Sequence, residues 1–195
     1  MSVQVDHLLS VGDAAPDVTL TDPRGEPLAL ASLWSGHPAL IVFVRHFGCP
    51  LCREQLLGIA GEFGRFEQAG AQIAAVGMGT PEEAGSLQRK LKLPFDVLSD
   101  PDRKAYRAYG LERGSFWQVS GPGVWAAGAK ALLRGGIGIP RGDVFQLSGE
   151  FVVDSAGIVR LAHRPRNSAD HAGVEELLSA IEGRAGQGSG GEQRE

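Results

Sequence analysis

Only two cysteines occur in the 195 residues, three positions apart, as Cys49-Pro50-Leu51-Cys52. A pair at that spacing can close an intramolecular disulfide, so the chemistry on offer is a two-electron thiol–disulfide cycle. That chemistry needs a thiolate, and a free cysteine with a pKa of about 8.5 is mostly protonated at neutral pH. A helix N-terminus and nearby cations bring such values down to roughly 3.5–7.5. Arg45, His46 and Arg53 flank the pair and are the candidates for cationic help. Cys49, the first of the two, is expected to attack. Cys52, one helical turn on and more buried, is expected to resolve a mixed disulfide or a sulfenic acid.

Each residue also has a plainer reading. The cysteines could be two inert core residues. Arg45 fits a surface ion pair, and His46 either carries protons or caps a strand end. Glu54 and Gln146 read as solvated helix and loop positions. A metal centre at the cysteines would need two more ligands, and His7, His37, His163 and His171 show no ligand spacing, so no metal or other cofactor is expected.

The elements around the pair place it at a strand-to-helix junction. Ala39–Val44 is an unbroken apolar run rich in β-branched residues, the pattern of a strand buried on both faces. From Pro50 the period changes: Leu56, Ile59, Ala60, Phe63 and Phe66 form one helical stripe. Pro50 suits a first helical turn, and Gly70 is expected to close a single helix.

Gln72–Met78 is a second buried strand. Thr80-Pro81-Glu82-Glu83 carries an N-cap, a first-turn proline and a capping-box glutamate for a helix through Leu87 and Leu91, stopped at Pro94. Phe95–Leu98 reads as a strand and Asp100–Gly110 as a short helix. Glu150–Val153 and Ile158–His163 read as a hairpin around Asp154–Gly157, and Asp170–Ile181 as a last helix. Ahead of all these, Asp17–Leu20 and Leu28–Leu30 flank a turn at Asp22–Gly25, an N-terminal hairpin.

Alternation followed by a hairpin and a closing helix gives an α/β protein with a central mixed β-sheet and helices on both faces. This is the order of a thioredoxin-like fold with an N-terminal β-hairpin extension. One domain is expected over residues 1–182, with an insertion at about 111–143 that carries Trp117 and Trp125 and a helix-like piece from Val124 to Leu133. Residues 183–195, mostly Gly, Ser, Gln and charge, read as a disordered tail.

A net charge of −4 and a pI near 5.7 offer no overall basic face for nucleic acid or anionic lipid. Met1–Ser10 lacks the charged start and apolar core of a secretory signal, and no apolar run is long enough to span a bilayer. A cytoplasmic location is expected.

Three segments resemble the alkyl hydroperoxide reductase/thiol-specific antioxidant (AhpC/TSA) family, in its peroxiredoxin-like branch with a C-x-x-C pair. They are Gly12–Gly25, the active segment Val44-Arg-His-Phe-Gly-Cys-Pro-Leu-Cys-Arg-Glu54, and the later strand Gly142–Asp154. The resemblance spans about Val11 to Ile181. It implies a thioredoxin fold and thiol-dependent redox activity on a peroxide or a protein disulfide. It also implies a thioredoxin-like or small-thiol reductant. A homo-oligomer is compatible with it. Two places depart from the pattern. Typical members carry a proline and a Thr or Ser seven and three residues before the reactive cysteine, where this chain has Val42 and His46. The proline that faces the dithiol in thioredoxins is matched by Ser148.

Two functions follow. The first is an enzyme, a thiol–disulfide oxidoreductase or thiol peroxidase cycling Cys49 and Cys52. The second is a non-catalytic redox-responsive binding module, in which the same disulfide alters a partner surface; the glycine- and tryptophan-containing insertion motivates it.

Overall fold

A computed structural model describes residues 8–111, 146–165 and 170–183. The central insertion with Trp117, Trp125 and the Val124–Leu133 piece lies outside the described residues, as do His7 and the tail from 184.

Seven strands form one mixed sheet. They are β1 (Thr19–Thr21), β2 (Pro27–Ala29), β3 (Ala39–Phe43), β4 (Gln72–Gly77), β5 (Asp96–Ser99), β6 (Gly149–Val153) and β7 (Val159–His163). Their order across the sheet is β2-β1-β5-β4-β3-β6-β7. The centre is parallel, β3 with β4 and β4 with β5, while β6, β7 and the N-terminal hairpin add antiparallel edges. All five residues of β3 are buried, as an apolar strand with a partner on each side must be.

Alternation along β3 feeds two cores, one on each face. Leu40 and Val42 point to the face covered by α1 (Pro50–Gly61), α2 (Phe63–Gln68), α3 (Pro81–Leu91) and α5 (Val174–Ile181). Ile41 and Phe43 point to the other face, where the 3₁₀ turn Leu30–Trp34 and α4 (Lys104–Ala108) pack. There Phe43, Tyr106, Tyr109 and Phe151 meet with ring centroids 4.9–5.8 Å apart.

The helix expected from Pro50 to Gly70 is broken. Glu62 sits between α1 and α2 with φ −105° and ψ 11°. Gly58, Gly61 and Gly64 weaken helix formation there, each costing about 1 kcal/mol relative to Ala. The buried stripe survives the break, with Leu56, Ile59 and Phe66 all in the core. The capping box at Thr80 forms as read. Helix α3 ends before Pro94, through left-handed Lys92 at φ 51°. Asp100 starts α4 from a distance: its carboxylate accepts from the backbone N–H of Lys104, Ala105 and Tyr106.

Candidate active site: a buried dithiol

At the end of β3 the strand pairing persists for one more residue, with Val44 N donating to Val76 O at 2.9 Å. The chain then turns sharply, and Cys49 N donates to His46 O at 3.0 Å. Cys49 is the N-cap of α1, with extended φ −68° and ψ 118°, and Pro50 fills the first helical position. The sulfur therefore lies at a helix start, where backbone N–H groups have no helical partner. Both cysteines are free thiols and almost fully buried, at 2% and 1% exposure.

Their environments differ. The Cys52 thiol donates to Cys49 and lowers its pKa to about 6, against the opposing effect of burial; Arg45 and the backbone N–H groups of Cys52 and Leu51 help. Arg45 Nη1 lies 3.9 Å from Cys49 Sγ. Cys52 moves the opposite way. Donating to Cys49 keeps its proton in place, burial disfavours its anion, and its pKa rises well above the ordinary value. Arg45 N, 3.4 Å from Cys52 Sγ, opposes this only in part. The pair thus holds one thiolate-ready sulfur and one protonated sulfur.

Arg45, His46 and Arg53 all gather at this turn, each buried to 6–7% exposure. Arg45 does not lie at the surface: it is buried, with its guanidinium turned toward Cys49. Arg53 donates from Nε to Phe47 O at 2.9 Å and so braces the loop between the strand and the dithiol. His46 brings no positive charge. Burial and the charges of Arg45 and Arg53 hold its pKa at about 4, so the imidazole is neutral near pH 7. Its Nδ1 is buried without a hydrogen-bond partner among the described residues.

Several features were not legible in the chain. Phe47 seats its ring against Gly77 and Gly79, which carry no side chain to oppose it. Gln146, read as a solvated loop residue, is buried and donates to Leu111 O at 3.0 Å. Ser148 is fully buried, its Oγ unpartnered among the described residues.

Glu150 on β6 is also fully buried. It accepts from Gln55 of α1, lies 3.1 Å from His171 Nδ1, and has His163 Nε2 at 3.8 Å. A charged residue in the otherwise apolar run Glu150-Phe-Val-Val153 was the one sequence signal for this cluster. Among the described residues no group of His, Cys, Asp and Glu is arranged to hold a metal ion.

The model of the AhpC/TSA family matches residues 11–162. Human peroxiredoxin-like 2C is 24% identical over 178 residues, covering 86% of this chain and 79% of that protein. The chloroplastic thioredoxin-like protein AAED1 of Arabidopsis thaliana is 29% identical over 102 residues, 52% of this chain and 41% of that one. Among solved structures, peroxidoxin BcpB from Mycobacterium tuberculosis superposes with a TM-score of 0.68 at 18% identity, over 90% of this chain and 97% of that one. The bacterioferritin comigratory protein of Xanthomonas campestris does so at 0.66 and 21%, over 92% and 99%. These structures share the thioredoxin-like fold. With a family match over most of its length and the Cys49–Cys52 pair at the head of α1, the chain belongs to the AhpC/TSA family, as a peroxiredoxin-like redox protein.

Proposed function

We propose that the protein is a thiol peroxidase or thiol–disulfide oxidoreductase in which Cys49 attacks and Cys52 resolves. The observation that carries this reading is geometric: Cys49 caps α1 with Arg45 Nη1 3.9 Å from its sulfur, while Cys52 lies buried one turn on, and the opposite bias of the two thiols agrees with it.

With a hydroperoxide, the Cys49 thiolate takes the terminal oxygen, the O–O bond breaks, and an alkoxide or hydroxide leaves to be protonated. Cys49 becomes a sulfenic acid. Cys52 then attacks that sulfur, gives up its thiol proton and expels water as the disulfide closes. With a disulfide substrate the first step instead forms a mixed disulfide, and Cys52 expels the second substrate thiolate. A dithiol or two small thiols would return the pair to the reduced state, taking up the disulfide's oxidising equivalents.

Arg45 is well placed to hold the thiolate and the developing negative charge. The hydroxyl that typical members carry at the His46 position is absent, and the neutral imidazole there can serve as a hydrogen-bonding group.

The test is to mix reduced protein with hydrogen peroxide, an organic hydroperoxide or a protein disulfide and follow thiol loss. Cys49 should react faster than a free thiol with at least one of them, and its alkylation should be half-maximal near pH 6. A rate no better than a free thiol with all three removes the enzyme reading. In Cys52→Ser the adduct should accumulate on Cys49; trapping on Cys52 in Cys49→Ser would reverse the assignment.

A further inference from the structure

The loop between β3 and the dithiol carries one aromatic residue, Phe47, and its ring sits in a slot between two glycines. A β-carbon at Gly77 would lie 2.0 Å from Phe47 Cε1 and 2.6 Å from Cζ. One at Gly79 would lie 2.4 Å from Cδ2 and 2.5 Å from Cε2. Both edges of the ring are therefore engaged, in space that exists only because two side chains are missing. Neither glycine has positive φ, so conformational freedom does not explain them.

The floor of the slot cannot retreat. Val76 O accepts from both Val44 N and Tyr106 Oη, Gly77 O accepts from Asp100 N at 2.8 Å, and Gly79 O accepts from Ser99 Oγ. On its other side Phe47 is tied by its own carbonyl to Arg53. The next two residues are Gly48 and Cys49, and the turn closes on His46 O. A ring that cannot shift and a carbonyl that is bonded leave little freedom to the two residues between the slot and the sulfur.

We propose that Phe47 is a positioning residue, keyed into the slot at Gly77 and Gly79, that holds Cys49 at the head of α1 and within reach of Arg45. The proposal rests on the reading of Cys49 as the reactive thiol. It also gives Gly77 and Gly79, some thirty residues away in the chain, a direct stake in the reactivity of the dithiol.

Rates of Cys49 alkylation against pH, measured on the full chain with a small alkylating reagent, test it alongside thermal unfolding. Phe47→Ala should still fold, while Cys49 loses its alignment and alkylation at pH 6 slows about fivefold, the effect of a pKa rise of about one unit. Phe47→Leu, which keeps part of the apolar plug, should recover much of the rate. Gly77→Ala should expel the ring and slow alkylation similarly. Gly77→Ala with Phe47→Ala should regain thermal stability, because the clash is gone, yet stay slow. That split between stability and thiol reactivity is not what simple packing loss would give. A folded Phe47→Ala protein with the wild-type profile overturns the proposal. A wild-type profile with the midpoint of an ordinary thiol overturns the dithiol reading and this proposal together.

Discussion

Cys49 and Cys52 are chemically the same side chain made unequal by position. One faces the open end of a helix and a guanidinium; the other is one turn down, dry, and keeps its proton while donating a hydrogen bond to the first. Their spacing in the chain announced a redox pair, but the direction of the bias needed the turn that brings Arg45 back over Cys49. His46 shows the same gap between type and role. As a residue type it looked like a cation, and burial between two arginines makes it neutral. Its folded pKa of about 4 lies below the ordinary 6.5, so between those values the unfolded chain binds a proton that the folded chain refuses. Stability should therefore fall as the pH drops from 6.5 to 4. His46→Gln should flatten that loss, measured by urea unfolding at pH 7 and pH 5. Equal losses in the two proteins would mean that His46 is not held neutral by the fold.

At the level of elements, the buried strands and the capping box were readable because their signals are local: two-residue alternation, β-branched runs, a threonine three residues before a glutamate. The break between α1 and α2 was hidden because the apolar stripe continues across it, whereas backbone geometry changes at Glu62. The Glu150 cluster was hidden for a different reason. Gln55, Glu150, His163 and His171 come from α1, β6, β7 and the segment before α5, and only sheet pairing and helix packing bring them together. This cluster ties α1, which carries the dithiol, to an antiparallel edge of the sheet. Glu150→Ala leaves the Gln55 amide and the His171 ring facing a buried gap, and should cost roughly 1–3 kcal/mol in urea unfolding. Unchanged stability would show that the cluster does not hold α1 to β6.

For the whole molecule, the sheet separates two cores with different duties. The face covered by α1 carries Cys49 and Cys52; the opposite face carries the aromatic group of Phe43, Tyr106, Tyr109 and Phe151. Phe151 is fully buried there, in contact with Phe43 and Tyr109, and the Arg164 guanidinium lies 5.1 Å from its ring centre. Phe151→Ala should cost roughly 3–5 kcal/mol. Because the cavity opens on the face away from the dithiol, the pH midpoint of Cys49 alkylation should stay at its wild-type value below the unfolding transition. A shifted midpoint would mean that the two faces are coupled through the sheet.

The division between what could be read from the chain and what arose on folding follows from the range of the interactions. The strand-to-helix junction, the dithiol within it and the thioredoxin-like order of elements all rest on contacts between near neighbours, and residue types with their periods suffice for those. The seat of Phe47 on Gly77 and Gly79, the inward turn of Arg45, the neutrality of His46 and the burial of Glu150 depend on desolvation and on partners tens of residues away. No pattern along a single chain encodes which distant surfaces will exclude water together, so these were decided only when the sheet was assembled.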